Sequence, residues 1–193
     1  MPVPVGLNVW SRLVESLFTH EVLCNSFRNP AHLAKMVATA QALSGGRVIL
    51  GIGAGWNEEE YRAYGWPFPP TRVRIAQLSE AIELIRLMWT ESPATYQGEH
   101  YQISGAYCEP RPDPIPPIVV GGHGEKYLLR AVAKHADWWN YSFRDDATYA
   151  HKQEVLKSHC QGLDADAPGG RRRQHRDQRA IGDGSAERLQ HVV

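Results

Sequence analysis

The chain has 193 residues, enough for one domain or for a piece of a larger one. Its 21 lysine and arginine residues equal its 21 aspartate and glutamate residues, so no overall charge favours a nucleic acid or a membrane surface, and no apolar run is long enough to span a bilayer. Cys24, Cys108 and Cys160 lack a C-x-x-C spacing and the first residues lack the features of a signal peptide, so we expect a cytoplasmic protein without a disulfide framework.

The first predicted strand and helix lie between residues 19 and 46. Residues 1–20 carry no recognisable chemistry, 19–24 form a short predicted strand, and 25–29 form a loop. Pro30 suits the first position of a helix with Asn29 as its N-cap, and Ser44-Gly45-Gly46 suits its end. Five apolar residues fall on one face of this helix: Leu33, Met36, Val37, Ala40 and Leu43.

A second strand leads into a glycine turn. Residues 47–50 are a β-branched, apolar run that stops in Gly51-Ile52-Gly53-Ala54-Gly55, and Asn57 with three glutamates then opens a helix. This alternation of strands and helices predicts a parallel sheet, in which ligands bind at the C-terminal ends of the strands. The even glycine spacing matches neither the dinucleotide fingerprint nor a P-loop. The turn is therefore either a ligand loop or only a tight turn after a buried strand.

The segment after Tyr61 departs from this alternation. Residues 64–70 are rich in aromatic residues and proline, and they form either a cover over a site or a surface connection. Thr71 is expected to cap a helix with Glu80, Glu83 and Arg86 on its outer face. Its core face is expected to hold Leu78, Ala81, Ile82, Ile85, Met88 and Trp89. Because residues 93–117 contain short β-prone pieces broken by prolines, about 62–116 is predicted to be an insertion.

The alternation resumes at residue 117. A predicted strand over 117–120 leads into Gly121-Gly122-His123-Gly124 and a helix that starts near Glu125. Free backbone N–H groups at the start of a helix bind phosphate well, and the alternative is a plain tight turn. A short strand over 136–140 and a helix over about 147–159, capped by Asp145 or Asp146, follow.

Residues 166–193 have another character, rich in arginine and glycine with little apolar periodicity. A basic tail that binds nucleic acid is one interpretation. No aromatic side chains are interleaved to stack on bases, so a disordered or out-of-frame ending is favoured.

The sequence contains no clear protein nucleophile and no metal motif. G-x-S-x-G is absent and the histidines show no H-x-x-x-H spacing, so no metal ligands are expected. His123 between glycines is the most suggestive histidine, and Asp137 is the most suggestive carboxylate unless it only binds neighbouring loop amides. A ligand site with phosphate recognition remains, which suits a cofactor that supplies its own chemistry.

Two runs, FRNPAHLAKMVATAQALSGGRVILGIGAGWNEEEYRAYG and PPIVVGGHGEKYLLRAVAKHADWWN, carry a family resemblance. In this order they resemble the luciferase-like flavin monooxygenase superfamily, and in particular its deazaflavin-dependent (coenzyme F-420) branch. The resemblance implies a (β/α)8 TIM barrel with the flavin ring across the C-terminal ends of the strands. Since motifs for only about half of the barrel are matched, we expect an α/β, luciferase-like, incomplete TIM barrel over residues 21–165.

The resemblance also implies site residues. Leu23, Cys24 and Asn25 would end the third strand, against the back of the flavin ring, and this strand would carry a non-prolyl cis peptide near Glu21-Val22 or Val22-Leu23. The flavin and substrate pocket would be lined by Gly53, Ala54, Gly55, Trp56 and Asn57, and the cofactor phosphate would be held by Gly121, Gly122, His123 and Gly124. Gly122→Val is then expected to weaken cofactor binding. Asp137 matches the family's Ala-Asp-Gly-Trp segment, where Trp138 replaces the glycine.

The implied function is that of an oxidoreductase that uses coenzyme F-420, or else FMN. It would pass a hydride to or from a small organic substrate, or activate dioxygen with reduced FMN. A homodimer is an expected assembly, and neither a nucleic acid nor a membrane is an expected partner. The alternative is a non-catalytic, truncated remnant that binds cofactor weakly or only in association with another chain, since 1–20 and 166–193 do not match the family's missing strands.

Overall fold

The computed structural model describes residues 18–19, 22–142 and 145–165. The predictions for residues 1–17 and for the tail 166–193 lie outside these ranges. The strands are β1 Phe18–Thr19, β2 Leu23–Cys24, β3 Val48–Gly53, β4 Ala94–Gln97, β5 Gln102–Ala106, β6 Ile118–Gly121 and β7 Trp138–Asn140. The α-helices are α1 Pro30–Ser44, α2 Glu58–Ala63, α3 Thr71–Thr90, α4 Leu128–His135 and α5 Asp146–Ala165, and a 3-10 helix covers Asn25–Phe27. The chain divides after Pro117 into two compact units.

The first unit contains a parallel sheet centred on β3. Both β1 and β2 pair with β3 in parallel, and at the end of β2 Cys24 lies opposite Gly53. The predicted strand 47–50 is therefore too short, because β3 continues through Gly51 to Gly53. These two glycines are buried within the strand, so they serve as small sheet residues and the turn begins only after them.

Helix α1 begins as predicted, but its buried face differs. Asn29 Oδ1 accepts hydrogen bonds from the N–H groups of Ala31 (2.9 Å) and His32 (3.2 Å). Met36 and Leu43 are more than half exposed, whereas Gln41 is fully buried. Gln41 Oε1 accepts from Val48 N–H at 2.8 Å, and its Nε2 donates to the carbonyl of Pro114 at 2.6 Å. A polar side chain takes the inward position because it satisfies backbone groups there.

Helix α3 carries the core face that its periodicity predicted. Leu78, Ala81, Ile82, Ile85, Met88 and Trp89 are all buried. The predicted cap is wrong, because Thr71 is the first helical residue and Pro70 occupies the N-cap. Glu80 and Glu83 do not simply face outward, since they bind the antiparallel hairpin of β4 and β5. Glu80 accepts the backbone N–H groups of residues 99–101, and Glu83 Oε2 accepts the Tyr96 hydroxyl at 2.9 Å.

The second unit contains the parallel pair β6 and β7, with Val120 opposite Trp139, and helices α4 and α5. The apolar face predicted for α4 is buried, but the helix begins at Leu128 and not near Glu125. Helix α5 extends to Ala165, beyond the predicted end. Asp145 caps it, since Oδ1 accepts from Thr148 N–H at 2.8 Å.

None of the helices in the part of the chain that the structure describes has the length and apolar character needed to cross a membrane. Cys24, Cys108 and Cys160 are all free thiols.

Candidate functional site

The loop between β3 and α2 is organised around Gly55. Its φ of +77° is a conformation that side chains rarely adopt. A Cβ atom there would lie 2.2 Å from the Tyr61 hydroxyl and 2.6 Å from Cys24 Sγ. This glycine therefore allows the loop to approach the end of β2 closely.

Tyr61, on α2, is the buried residue that joins the loop to β2. Its side chain has no exposed surface, its hydroxyl donates to the carbonyl of Ala54 (3.2 Å), and the same oxygen lies 3.1 Å from Cys24 Sγ. Burial raises the pKa of Tyr61 to about 12, and its contact with Cys24 adds to the rise. The phenol is therefore neutral near pH 7 and holds Cys24 and Ala54 in place.

The other predicted residues of the first unit have different surroundings. Trp56 is 84% exposed, which is unusual for an indole in a loop. Asn57 occupies the N-cap of α2, but its side chain makes no capping hydrogen bond. Asn25 is almost fully buried, and its Nδ2 donates to the Tyr101 hydroxyl at 3.1 Å. Burial raises the pKa of Tyr101, while the bond from Asn25 lowers it in part.

The segment around β2 carries backbone strain and unused polar groups. Val22 has a φ of +31°, which a β-branched residue rarely adopts. The cis peptide bonds of the described residues all precede proline, so Val22–Leu23 is trans, and Glu21–Val22 lies outside the described residues. Ser26 Oγ and Arg28 Nη1 are the buried side-chain polar atoms without a partner in the described ranges. Such features concentrate at ligand sites.

Arg74 is a buried residue of this region that our sequence analysis missed. Its Nε donates to the carbonyl of Gly55 at 3.3 Å, so it contacts the glycine loop directly. A signal was present in the sequence, because Arg74 lies four residues before Leu78 and so extends the buried face of α3 by one turn. An arginine on an apolar helix face needs polar partners, and here the loop supplies one.

In the second unit, Gly121 is the last residue of β6, and the loop Gly122–Gly124 follows it. Gly122 N–H donates to the carbonyl of Asn140 at 3.1 Å, so it is not available to a phosphate. Within the described residues no hydrogen bond uses the N–H of His123 or of Gly124. Two adjacent free N–H groups are the kind of donor pair that binds an anion.

Gly122→Val cannot test phosphate binding by itself. Gly122 has a φ of +126°, and a Cβ atom would lie 2.4 Å from Leu128 Cδ2. A valine would therefore strain the protein itself, whether or not phosphate binds. Gly124 is different, because its Cβ would meet Leu128 Cβ at 3.7 Å, an ordinary contact.

Aromatic side chains support this loop from β7 and α5. Trp139 Nε1 donates to the carbonyl of Gly122 at 2.7 Å, so both backbone groups of Gly122 are held by β7. The rings of Trp139, Tyr141 and Tyr149 lie against one another with centroids 5.3 to 6.2 Å apart. The exposed His123 ring is edge-on to Tyr141 at 6.3 Å. Trp138, the departure from the family pattern, is half-buried.

The turn after the loop is tied to α5 through Glu125. The Glu125 carboxylate lies 2.5 Å from Lys152 Nζ and 3.2 Å from His151 Nε2. The hydrogen bond from Lys152 lowers the pKa of the Glu125 carboxyl. His159 Nε2 lies 2.9 Å from the Glu125 carbonyl oxygen, so three side chains of α5 hold this turn.

Asp137 lies at the N-terminal ends of β6 and β7, opposite to the end that carries the loop Gly122–Gly124. It precedes β7, and its Oδ2 accepts from Ile118 N–H at 2.8 Å, at the first residue of β6. Ligands of parallel sheets bind at the C-terminal ends of the strands. Because this carboxylate lies at the N-terminal ends, its role is structural. The bond from Ile118 N–H fits the interpretation that Asp137 only binds neighbouring backbone amides.

One group of potential metal ligands occurs within the described residues: oxygen or nitrogen atoms of Glu80, Glu99 and His100 lie within 4.8 Å of one another. Both oxygens of Glu80 already accept backbone N–H groups of the hairpin, at 2.8 to 3.2 Å. Glu80 therefore anchors the hairpin, and these hydrogen bonds account for the grouping of the three side chains.

Comparison with known proteins identifies the family. The model for luciferase-like monooxygenases matches residues 21–167. An F-420-dependent glucose-6-phosphate dehydrogenase of Kineococcus radiotolerans is 45% identical over 106 residues, covering 53% of this chain and 31% of that protein. An uncharacterized protein of Mycobacterium tuberculosis is 38% identical over 118 residues, 61% of this chain and 41% of its own length. The chain thus spans less than half the length of these relatives.

Solved structures agree on the fold. An F-420-dependent secondary alcohol dehydrogenase, in complex with an F-420–acetone adduct, matches with a TM-score of 0.74 at 20% identity over 84% of this chain and 50% of its own. The coenzyme F-420-dependent tetrahydromethanopterin reductase of Methanopyrus kandleri matches with a TM-score of 0.71 at 19% identity over 81% of this chain and 48% of its own. The predicted α/β fold of the luciferase-like TIM-barrel type is confirmed, and the matched part is an incomplete barrel. The chain belongs to the luciferase-like monooxygenase family.

Proposed function

We propose that this chain is part of an oxidoreductase that binds coenzyme F-420, or else FMN, and acts on a small organic substrate. The observation that carries the proposal is a pair of adjacent N–H groups, at His123 and Gly124, for which the described residues provide no acceptor, in a loop that follows a parallel strand. Both cofactors carry a phosphate, and two adjacent free N–H groups are suitable donors to a phosphate. The dehydrogenase with 45% identity, which is described as F-420-dependent, makes F-420 the first choice.

Each unit by itself offers groups that suit one part of such a cofactor. In the second unit, His123 and Gly124 would hold the phosphate while Trp139 and Glu125 keep the loop in place. In the first unit, Gly55 packs closely against Cys24 and Tyr61, and this cluster would support the cofactor ring. The unused polar atoms of Ser26 and Arg28 lie in the same segment and suit a polar ligand.

The bound cofactor would supply the hydride transfer, or the activation of dioxygen in the case of reduced FMN. The chain's own residues would bind it, orient its ring and exclude water. Trp56, with its exposed indole, offers an apolar surface to a substrate next to the glycine loop. Tyr61, neutral near pH 7, would not exchange protons in this range. A cytoplasmic location and a homodimer remain part of the proposal.

The alternative, a remnant that binds cofactor weakly or only together with another chain, is favoured by one observation. The chain spans 31% of the Kineococcus radiotolerans relative and 41% of the mycobacterial one. A barrel enzyme draws its catalytic groups from the ends of several strands, so the matched part by itself supplies only some of them.

A fluorescence titration of the purified chain with FMN, and separately with coenzyme F-420, tests the proposal. Gly124→Ala is expected to weaken binding about tenfold, because its methyl group would crowd the phosphate although it has room in the free protein. Gly162→Ala, on α5 with nothing within 4 Å of the new Cβ, is the matched control and is expected to bind like the parent.

Absence of saturable binding in a chain that melts cooperatively would contradict the proposal and favour the remnant. Equal affinity of the parent and Gly124→Ala would remove the phosphate assignment from this loop. A rise in unfolding temperature for Gly162→Ala would only reflect the better helix propensity of alanine.

A further inference from the structure

Arg74 is a buried cation whose hydrogen-bond partners, within the described part of the chain, are all neutral groups. Only 6% of the residue is exposed. Its Nε donates to the carbonyl of Gly55 at 3.3 Å, its Nη1 to the carbonyl of Pro69, and its Nη2 to Thr71 Oγ1 at 3.3 Å. The planar guanidinium thus joins the glycine loop to the segment that precedes α3.

The charge of Arg74 has no acidic partner among the described residues, since none of their ion pairs includes it. The guanidinium carbon lies 3.9 Å from the centre of the Phe68 ring, and this contact compensates the charge only in part. A buried charge without a counter-ion is costly, and an anion that arrives nearby is correspondingly favoured.

The field of this charge reaches the neighbouring side chains of the loop. Tyr61, whose hydroxyl binds Ala54 and Cys24, is acted on by the Arg74 charge, which lowers its pKa against the larger effect of burial. Tyr61 and Cys24 are the titratable groups of this contact. Tyr61 is a neutral phenol near pH 7, so it does not neutralise the guanidinium.

We propose that Arg74 is a positioning residue that orients the carbonyl of Gly55 and, through its charge, makes the glycine loop favour a cofactor ring in its anionic form. This inference rests on the proposed function. It adds a preference between charge states of the ring, whereas the phosphate loop would bind either state equally well.

A comparison of the binding of oxidised and reduced FMN separates the effect of the ring charge from that of the phosphate. Near neutral pH the oxidised ring is neutral and the reduced ring is anionic, while ribityl chain and phosphate are the same. The ratio of the two dissociation constants also sets the midpoint potential of bound FMN. It reports on the ring, and the comparison of Arg74→Gln with Arg74→Lys isolates the contribution of the charge. For Arg74→Gln we expect the preference for reduced FMN to fall about tenfold, the effect of removing one partly screened charge.

Arg74→Lys is the matched variant, because it keeps the charge and loses the planar fork. It is expected to weaken binding of both forms by the same factor and to keep the parent's ratio. If the parent binds only coenzyme F-420, the ionisation of the deazaflavin hydroxyl is measured instead. It is monitored by the visible absorption of the bound cofactor as a function of pH. Arg74→Gln should then move this ionisation to higher pH.

The outcomes are distinct. A change in the ratio, or in the ionisation, for Arg74→Gln but not for Arg74→Lys supports the inference. Equal weakening of both FMN forms by Arg74→Gln, or an unmoved ionisation, would show a merely structural role and overturn it. A parent chain that binds neither FMN nor coenzyme F-420 would instead overturn the proposed function, on which the inference depends.

Discussion

Gly55 combines a positive φ with a space that a methyl group cannot occupy. Gly65 has a similar φ, +72° against +77°, but nothing lies within 4 Å of its Cβ position. Gly65→Ala should therefore cost only the backbone strain, about 1 kcal/mol. Gly55→Ala adds overpacking against Tyr61 and Cys24 and should cost about 2–4 kcal/mol in urea unfolding.

Combining Gly55→Ala with Tyr61→Phe in a double variant tests whether overpacking causes the loss of stability in Gly55→Ala. Tyr61→Phe removes the hydroxyl that a Cβ would meet at 2.2 Å, so part of the loss should be recovered in the double variant. Alone, Tyr61→Phe is expected to lose about 1 kcal/mol, because the carbonyl of Ala54 loses a hydrogen bond. Additive losses in the double variant would contradict the packing explanation.

At the scale of elements, helices with a strong apolar period could be predicted from the sequence, and polar residues inside such faces could not. The face of α3 and the Asn29 cap of α1 depend on local spacing and local hydrogen bonds. Gln41 and Arg74 are buried because of partners far along the chain, at Pro114 and Gly55, which no local pattern contains. Gly51 and Gly53 were predicted as a turn since sheet pairing with a distant strand is not visible locally.

The same limit applies to the candidate site. The glycine loops could be predicted because glycine itself marks unusual backbone. The contact between Cys24 and Tyr61 joins residues 37 positions apart, so it required the fold. The occupied N–H of Gly122 likewise depends on Asn140, and it changes which residues are free to bind phosphate.

The ion pair of Glu125 with Lys152 should make the stability of α5 depend on pH. The hydrogen bond from Lys152 lowers the pKa of Glu125 below its ordinary 4.5. The folded state therefore gains stability above the unfolded pKa, and the gain is lost as the pH falls through the folded pKa. The urea midpoints of the parent and Glu125→Gln should differ at neutral pH, and the difference should disappear as the pH falls through the folded pKa of Glu125.

Glu154→Gln is the control on the same helix. Glu154 pairs with Lys157 at 3.8 Å with both side chains largely exposed, so this pair is expected to contribute little at any pH. A difference between parent and Glu125→Gln that persists unchanged at low pH would show that the carboxylate charge is not its origin.

At the scale of the whole molecule, the division after Pro117 predicts that each unit opens on its own. Leu78 on α3 and Leu129 on α4 are matched probes, because each is a fully buried leucine and they lie in different units. Either substitution by alanine should cost about 2–5 kcal/mol through the cavity that it leaves. Hydrogen exchange followed by mass spectrometry should then show Leu78→Ala accelerating exchange in α1 and α3, and Leu129→Ala accelerating it in α4 and α5. Faster exchange throughout both units for either variant would mean that they unfold as one cooperative body.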